Sequence, residues 1–256
     1  MSKKRACYFF VGFMAISLFM IVVPSVAFAG PGGIIAREFA NTWIGKAVAA
    51  VFVIVFLPLF LYITFKESIA KNKTKKDLVA LARVNGDFRW TILNERAHTI
   101  VTQVYSAWRK SDAEKAMAWM TDWYWQNQKS TVLDEWESSG LKNHCNLKKV
   151  KHIQPLYVEY CEQEPGDGEG SRIILTVEVN LQDYLINEQT EKIVEGDKKY
   201  KNFESIWTLL YEGNQWKLSL IEESSMSITY AQMKNDLEEA QGYIKTGFKY
   251  KKSMQE

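Results

Sequence analysis

The sequence is poor in the side chains that build disulfide frameworks, metal centres and most catalytic sites. Its 256 residues include 3 cysteines, none of them in a CxxC pair, and 3 histidines. This excludes a disulfide-rich scaffold, and no spacing favours a structural zinc site. Neither sign of charge dominates, because residues 66–256 carry 27 basic and 29 acidic side chains. We therefore predict no metal, no cofactor and no nucleic-acid partner.

Long apolar runs are confined to the first quarter of the chain. The first run, Tyr8 to Val23, follows Lys3-Lys4-Arg5 and precedes Ala27-Phe28-Ala29. This is the layout of a secretory signal peptide, which we predict for residues 1–29. An uncleaved membrane segment is the alternative, since the run is nearly long enough to cross a bilayer. A short external segment, residues 30–46, would follow in either case.

A second apolar run, residues 47–65, contains no charged side chain. Its length matches the roughly 20 apolar residues of a transmembrane helix, and Pro58 is tolerated in such a helix. Five lysines follow within residues 66–76, and an excess of lysine marks the cytoplasmic side of a span. We therefore predict a bacterial inner-membrane protein whose soluble part faces the cytoplasm, where its thiols stay reduced.

The lysines after the span also predict contact with the membrane surface. We interpret residues 66–87 as a basic juxtamembrane linker, and basic side chains near an anionic leaflet each contribute about 1 kcal/mol to binding. A purely topological role for these lysines is the alternative. The predicted membrane-surface residues, including a second cluster at the C-terminus, are Lys66, Lys71, Lys73, Lys75, Lys76, Lys249, Lys251 and Lys252.

Periodicity predicts an α+β domain over residues 88–228, with helices preceding strands. Apolar residues recur at helical spacing up to Trp108, and new helix starts follow at Ser111 and Thr121. After Gly140 the spacing changes to the alternation of strands. The predicted strands form two hairpins, and the helices should pack on one face of a curved antiparallel sheet. The hairpins comprise residues 153–160 with 173–181 and residues 203–211 with 216–221, and an amphipathic helix with a basic end is predicted for residues 229–256.

The order of these features resembles the Tim44-like domain family within the cystatin-like or nuclear-transport-factor-two-like cone fold. The motifs that carry the resemblance are Val104-Tyr105-Ser106-Ala107-Trp108, Leu181-Gln182-Asp183-Tyr184, Gly196-Asp197 and Phe203 to Leu209 followed by Trp216-Lys217-Leu218. The resemblance covers roughly residues 88–223. It implies a cone-like fold after a signal peptide and one membrane span, as in the bacterial, membrane-anchored members.

Tryptophan is abundant, with 9 residues in the chain. Those on the predicted helices and strands are placed to line a cavity between the two layers, where apolar ligands usually bind. A core filled by large rings is the alternative. The candidates for a pocket or a partner-binding surface are Trp108, Trp119, Trp123, Trp125, Trp136, Trp207 and Trp216.

No arrangement of titratable residues predicts catalysis. The histidines have no nucleophile or carboxylate positioned beside them, and Glu178 and Glu204 fit the solvated side of a half-covered sheet. Cys145 follows His144, but adjacent side chains of an extended chain point to opposite faces. We predict no catalytic residues and no enzyme.

The function that these features favour is a membrane-tethered, non-catalytic binding or scaffold module. It would hold a partner protein or lipid at the inner face of the membrane, as in protein translocation or membrane-protein assembly. Two alternatives stay open. One is a cone-fold enzyme with an acid or base in its pocket, of the isomerase type. The other is a structural subunit of an envelope secretion machine.

Overall fold

The computed structural model describes residues 42–109 and 114–246. They belong to two units, the first ending at Phe65 and the second beginning at Lys66. Within the described residues, the helices α1 to α7 are Trp43–Leu81, Trp90–Arg109, Glu114–Met117, Asp122–Gln128, Asp134–Ser138, Ser227–Gln232 and Gln241–Thr246. The strands β1 to β4 are Leu141–Glu159, Arg172–Asn187, Ile193–Glu212 and Gln215–Glu223. Short turns of 3-10 helix cover Gly86–Phe88 and Ser224–Met226, and a π-helical turn, Lys129–Leu133, joins α4 to α5.

The first unit contains the apolar part of α1, which carries the predicted span. Large apolar side chains are exposed along it, with Ile54 at 65% and Phe65 at 67%. In the part of the chain that the structure describes, α1 is the helix long and apolar enough to cross a membrane. The predicted signal peptide and the external segment before residue 42 lie outside the described residues.

In place of the linker predicted for residues 66–87, α1 continues to Leu81 as part of the second unit. Leu78 and Leu81 are fully buried in the core of that unit. Thr74 is also fully buried, and its hydroxyl donates to the carbonyl of Leu156 at 3.0 Å. The many lysines of this segment conceal a buried face at helical spacing, which consists of Ala70, Thr74, Leu78 and Leu81. The prediction of a linker is therefore corrected to a packed helix.

The helix start predicted at Thr121 and the helix end predicted at Gly140 are both present in the structure. Thr121 caps α4, because its hydroxyl accepts the Tyr124 N–H at 3.3 Å. The predicted third helix is present as α4, the π-helical turn and α5, and it ends before Gly140, whose φ of 61° suits glycine. The helix start predicted at Ser111 lies outside the described residues.

The four strands form one antiparallel sheet in the order β1-β2-β3-β4, so each strand pairs with its neighbour in the chain. The inner face packs against the helices, and Val177, Val179 and Leu209 are among its fully buried side chains. Three strands are longer than predicted. β1 begins at Leu141, β2 continues to Asn187, and β3 begins at Ile193. Lysine is the most frequent residue in the extensions of β1 and β3, and it conceals the alternation because one face of each extension is solvated.

A cluster of aromatic rings surrounds Phe88 in the core. Phe88 is fully buried and contacts Tyr160, Tyr211 and Trp216, with ring centroids 5.1–5.5 Å apart. The Trp216 indole N–H donates to the carbonyl of Asp87 at 3.1 Å. These rings fill the core around Phe88.

The C-terminal region differs from the single helix predicted for residues 229–256. It contains two short helices, α6 and α7, and the segment between them pairs with the edge of β1. The Asp236 N–H donates to the carbonyl of Val158 at 3.0 Å, and the Tyr160 N–H donates to that of Asp236 at 2.9 Å. These hydrogen bonds satisfy backbone groups at the edge of β1 that a continuous helix would leave unpaired. The predicted membrane-surface residues Lys249, Lys251 and Lys252 lie outside the described residues.

Candidate functional site: an aromatic cleft at the open end of the cone

Three adjoining hollows lie between the helices and the sheet, and together we call them the mouth cleft. Their volumes are about 340, 600 and 700 Å³. Trp136 and Asn143 belong to the first and second hollows, Trp108 to the second and third, and Asp183 and Phe203 to the first and third. The shared walls make the hollows one continuous surface between the helices and the inner face of the sheet.

Three of the predicted tryptophans line this cleft. Trp108 is near the C-terminal end of α2, Trp125 is on α4 and Trp136 is on α5. Trp108 is half-buried and meets the ring of Tyr105 edge to face, with centroids 5.5 Å apart. The helices therefore form an aromatic wall, in the kind of concave, apolar surface that binding sites use.

The other four predicted tryptophans lie elsewhere. Trp207 and Trp216 are buried in the core, at 0% and 2% exposure, as the alternative of a core filled by rings predicts. Trp119 is half-buried, and the guanidinium of Arg96 lies over its ring at 4.5 Å from the centroid. Trp123 is 66% exposed and lines a separate hollow on the outer face of the sheet. The seven residues therefore do not form a single site.

Asp183 lies where the hollows meet, and the sequence analysis did not single it out. It follows Leu181 on the inner face of β2, so its carboxylate continues a row of apolar side chains. Its side chain still reaches solvent. The walls of the cleft nevertheless remove part of its hydration, and this desolvation raises its pKa, as does the charge of Glu195, while a hydrogen bond with the side chain of Asn143 acts in the opposite direction. The sequence does contain a signal that could have identified Asp183, because a charged residue stands at an apolar position of an alternating strand.

Two groups near Asp183, the Cys145 thiol and the Tyr105 hydroxyl, are protonated at neutral pH. Cys145 faces Asp183 across the β1–β2 pairing and is 2% exposed. Burial, with a contribution from the charge of Asp183, raises the pKa of its thiol to about 12. Burial also raises the pKa of the Tyr105 hydroxyl above its ordinary range. Both groups therefore stay protonated at neutral pH, and the Cys145 thiol is not a nucleophile there.

Acidic side chains outnumber basic ones around the mouth cleft. Ten carboxylates and four lysines line the three hollows. Two of the lysines form ion pairs with rim carboxylates, Lys142 with Glu188 at 3.8 Å and Lys201 with Asp197 at 3.0 Å. The surroundings of an aromatic surface thus carry a formal charge of −6, although the whole chain is at +2. The carboxylates are Glu114, Asp134, Glu137, Asp183, Glu188, Glu195, Asp197, Glu204, Glu222 and Glu223.

The predicted membrane-surface lysines near the span are engaged with other residues of α1 and β1. Lys71 pairs with Glu67 at 3.1 Å, and Lys73 lies 3.9 Å from Asp77. The Lys75 ammonium donates to the side-chain oxygen of Gln154 at 2.6 Å. Lys66 is half-buried and Lys76 is exposed. The pairs offset part of the charge that the sequence assigns to this surface.

The other titratable residues considered for chemistry do not converge on one point, although Glu204 lines the cleft. His98 and His152 are exposed, and His144 stacks on Tyr184 with centroids 4.9 Å apart. Glu178 and Glu204 face each other on β2 and β3, and Glu178 pairs with Lys151 at 3.0 Å. In the described ranges no three histidine, cysteine or acidic residues cluster so as to hold a metal ion.

Comparison with known families identifies one match. Residues 74–223 match the family described as Tim44-like domain. The match covers more than half of the chain and includes α2 to α5, the whole sheet and the mouth cleft. The resemblance noted from the sequence motifs is thereby confirmed, and so is the α+β class with helices on a curved antiparallel sheet. No curated protein matches the sequence.

The solved structures that are similar to this chain have low sequence identities and low TM-scores. The intermembrane space region of the chloroplast protein ARC6 has 12% identity and a TM-score of 0.35, and the alignment covers 50% of this chain and 95% of that one. A protein described as a polyketide cyclase, from Xanthomonas campestris pv. campestris, has 10% identity and a TM-score of 0.27, covering 54% and 98%. AclR, described as a hydroxylase from Streptomyces galilaeus, has 8% identity and a TM-score of 0.21, covering 56% and 88%. At these values the similarities carry no information about function.

Proposed function

The chain belongs to the Tim44-like domain family, and from this premise and the geometry of the mouth cleft we propose that it is a membrane-anchored, non-catalytic binding module. Its ligand is a basic, apolar segment of a partner protein. The helix α1 supplies the anchor, because it is long and apolar enough to cross a membrane. The observation that carries the proposal is the combination of an aromatic wall with an acidic surround in one continuous cleft.

The aromatic wall accounts for affinity. Trp108 and Trp136 present half-buried rings beside an open volume, and Trp125 lines the same volume at 6% exposure. Tryptophan is the residue type most enriched among the few interface residues that carry most of the binding energy. An amphipathic helix would lay its apolar side chains against these rings, as helices do in hydrophobic grooves.

The acidic surround accounts for the choice of partner. A cleft lined by charge of one sign raises the local concentration of ligands of the opposite sign. Glu114, Asp134 and Glu137 lie on the helical side of the cleft next to the tryptophan rings. Lysine or arginine side chains on a bound segment would meet them. The same charges repel anionic lipid headgroups, so the cleft favours protein over lipid.

Contact of the lysines with anionic lipid is a separate proposal, because these residues do not line the cleft. Lys71 and Lys73 form ion pairs with carboxylates of their own helix, which lowers their attraction for a leaflet. We therefore expect the contact to be weak and to fall as salt rises. Flotation of residues 66–256 with anionic vesicles, compared with the same fragment in which both lysine clusters are replaced by glutamine, tests it.

The absence of catalysis is part of the proposal. Asp183 has a raised pKa and a converging polar group in Asn143, which are features of an acid or base in a cone-fold enzyme. However, its side chain reaches solvent, and its neighbour Cys145 stays protonated. None of the three histidines lines the hollows of the cleft. A polar residue at the centre of a binding cleft explains these observations without a reaction.

We place the module on the cytoplasmic face of a bacterial inner membrane. The support comes from the lysines that follow the apolar segment, because positive charge is retained on the cytoplasmic side. A role in protein translocation or membrane-protein assembly would agree with this location. Protease added to intact spheroplasts should leave residues 66–256 undigested. Their digestion would favour the alternative of an envelope secretion subunit with an external domain.

The binding proposal is tested with the full chain in nanodiscs of zwitterionic lipid. The ligand is a synthetic helical peptide with leucines on one face and lysines on the other. We expect Trp136→Ala to weaken binding of the peptide by at least about tenfold, as loss of a central aromatic anchor does. Trp123→Ala is the matched control, since that ring is exposed on the outer face of the sheet. Equal affinity of both variants and the unmodified chain would contradict the proposal.

A further inference from the structure

The third hollow of the mouth cleft, of about 700 Å³, differs from the other two in its charge. Two lysines line the first hollow and two line the second. In the part of the chain that the structure describes, no basic side chain lines the third. Negative charge is therefore concentrated there. The carboxylates of this hollow are Asp183, Glu204, Glu222 and Glu223.

None of these four carboxylates forms an ion pair within the described residues. Glu222 accepts a hydrogen bond from the Tyr230 hydroxyl at 2.7 Å, and Glu223 accepts one from the Ser225 hydroxyl at 3.4 Å. Both donors are neutral, so these hydrogen bonds leave the charge of the hollow unchanged. A ligand that brings a positive charge would find no cation of the described chain already in place.

Asp183 is the carboxylate that the sheet itself holds in this hollow. It lies on β2 between Leu181 and Leu185, which are 3% and 8% exposed, but its own side chain is exposed and open to a ligand. Desolvation and the charge of Glu195 raise the pKa of its carboxyl, while a hydrogen bond with Asn143 lowers it. The strand thus presents an accessible anion among apolar side chains, and the neighbouring charge that acts on it is also negative.

Aromatic rings line the same hollow. They belong to Tyr105, Trp108 and Phe203. Phe203 is 41% exposed and Trp108 is half-buried, so a ligand can contact both rings. A cation over the face of an aromatic ring is attracted by it. An arginine guanidinium is planar, pairs with a carboxylate through two parallel hydrogen bonds and is more weakly hydrated than an ammonium group. The combination of rings and carboxylate therefore favours arginine over lysine.

On the basis of the binding function proposed above, we propose that the third hollow receives one arginine side chain of the bound segment, whose guanidinium pairs with Asp183. The apolar face of that segment therefore carries an arginine among its apolar residues. The aromatic wall and the other carboxylates attract any basic, apolar helix. Asp183 adds a requirement for one position within the helix, and it thereby fixes the register in which the segment binds.

The test uses the full chain in zwitterionic nanodiscs and two helical peptides of identical composition. Both have a leucine face and a lysine face. In the first peptide a single arginine stands at the centre of the leucine face, and one leucine stands at the end of the lysine face. In the second peptide these two residues are exchanged. Because the net charge is the same, the overall charge of the cleft acts equally on both. Fluorescence anisotropy of the labelled peptides gives their affinities.

We expect the unmodified chain to bind the first peptide at least about tenfold more tightly, the effect of a charge-assisted hydrogen bond. A cleft that recognises only an apolar face and overall charge gives the opposite order, because placing an unpaired guanidinium against the aromatic wall costs free energy. A third peptide, with lysine in place of the central arginine, should bind less tightly than the first.

Three variants connect the preference to one carboxylate. Asp183→Asn keeps the shape of the side chain and should reverse the preference, so that the second peptide binds more tightly. Asp183→Glu keeps the charge and should retain the preference for the first peptide. Glu178→Gln is the matched control, because Glu178 is on the same strand, pairs with Lys151 and does not line the hollows. It should retain the preference in full.

Two results would overturn the arginine site and leave the proposed function standing. They are tighter binding of the second peptide by the unmodified chain, and an Asp183→Asn variant that keeps the preference for the first. Equal affinity of the first and third peptides would overturn the choice of arginine. Binding of none of the three peptides would overturn the proposed function together with the arginine site.

Discussion

The most demanding test of the fold concerns Asn235, which ties the lysine-rich end of α1 to the sheet. Its side-chain oxygen accepts the Val158 N–H at 3.1 Å, and its side-chain nitrogen donates to Asp77 at 2.7 Å and to Thr74 at 3.1 Å. The residue is 9% exposed. One side chain thus satisfies a backbone group of β1 and two side chains of α1.

Replacing Asn235 with alanine should destabilise the second unit by about 2–4 kcal/mol. A net hydrogen bond contributes about 1 kcal/mol, and leaving the buried Val158 N–H unsatisfied costs about 1–3 kcal/mol. Against a total stability of roughly 5–15 kcal/mol for a domain, the loss is large. Urea unfolding of the full chain in detergent, followed by tryptophan fluorescence, measures it.

Two further variants show whether the loss comes from this network. Lys234→Ala changes the adjacent exposed residue and should leave the unfolding midpoint unchanged. Thr74→Val removes the hydrogen bond to Leu156, and its effect should be less than additive with that of Asn235→Ala. An Asn235→Ala variant as stable as the unmodified chain would refute the integration of residues 66–81 into the domain.

Three other predictions follow from single contacts. Gly168→Ala should destabilise the second unit by about 2–3 kcal/mol in the same unfolding assay. The reason is that φ of Gly168 is 76° and an added Cβ would lie 2.7 Å from the Phe88 ring. Unchanged stability would contradict this packing. Desolvation raises the pKa of Asp183, so folding takes up a proton and stability should fall as pH rises between the ordinary and the raised pKa. Asp183→Asn should flatten this part of a series of unfolding midpoints against pH, and an identical slope would refute the assignment. In a Cys7→Ser background, iodoacetamide should modify Cys161 before Cys145. Burial and a thiol pKa of about 12 protect Cys145 until the protein unfolds. Mass spectrometry of the digest gives the order of modification, and the reverse order would contradict the burial of Cys145.

The fold was predictable wherever apolar residues recur at a single spacing, either that of a strand or that of a helix. The alternation from Ile173 to Leu181 predicts β2, and the helical spacing up to Trp108 predicts α2, because each element has one fully apolar face. The lysine-rich continuation of α1 was not predictable as packed structure. Its buried positions, Ala70, Thr74 and Leu78, are small or polar as often as apolar, and their partners lie far along the chain.

The candidate site was predictable only in part, for a related reason. Composition identifies tryptophans but does not separate Trp136, which lines the cleft, from Trp207, which fills the core. The difference arises from strand register and from the side of each helix that meets the sheet. The acidic surround was hidden as well, because its carboxylates come from distant segments such as those of Glu114 and Glu222.

The central claim is that the mouth cleft selects a basic, apolar segment by charge and by aromatic contact. Reversal of charge is the direct test. Glu114, Asp134 and Glu137 are replaced together by lysine, and the matched control replaces Glu95, Glu164 and Glu238, which are exposed and do not line the hollows. The affinities of both variants for the lysine-faced helical peptide and for its glutamate-faced counterpart are measured by titration at low and physiological salt.

The account predicts that reversal at the cleft weakens the lysine-faced peptide by at least about tenfold and strengthens the glutamate-faced one, with the larger effect at low salt. The control variant should retain the original preference. Unchanged affinities in the cleft variant, or equal changes in both variants, would contradict a cleft that chooses its partner by charge.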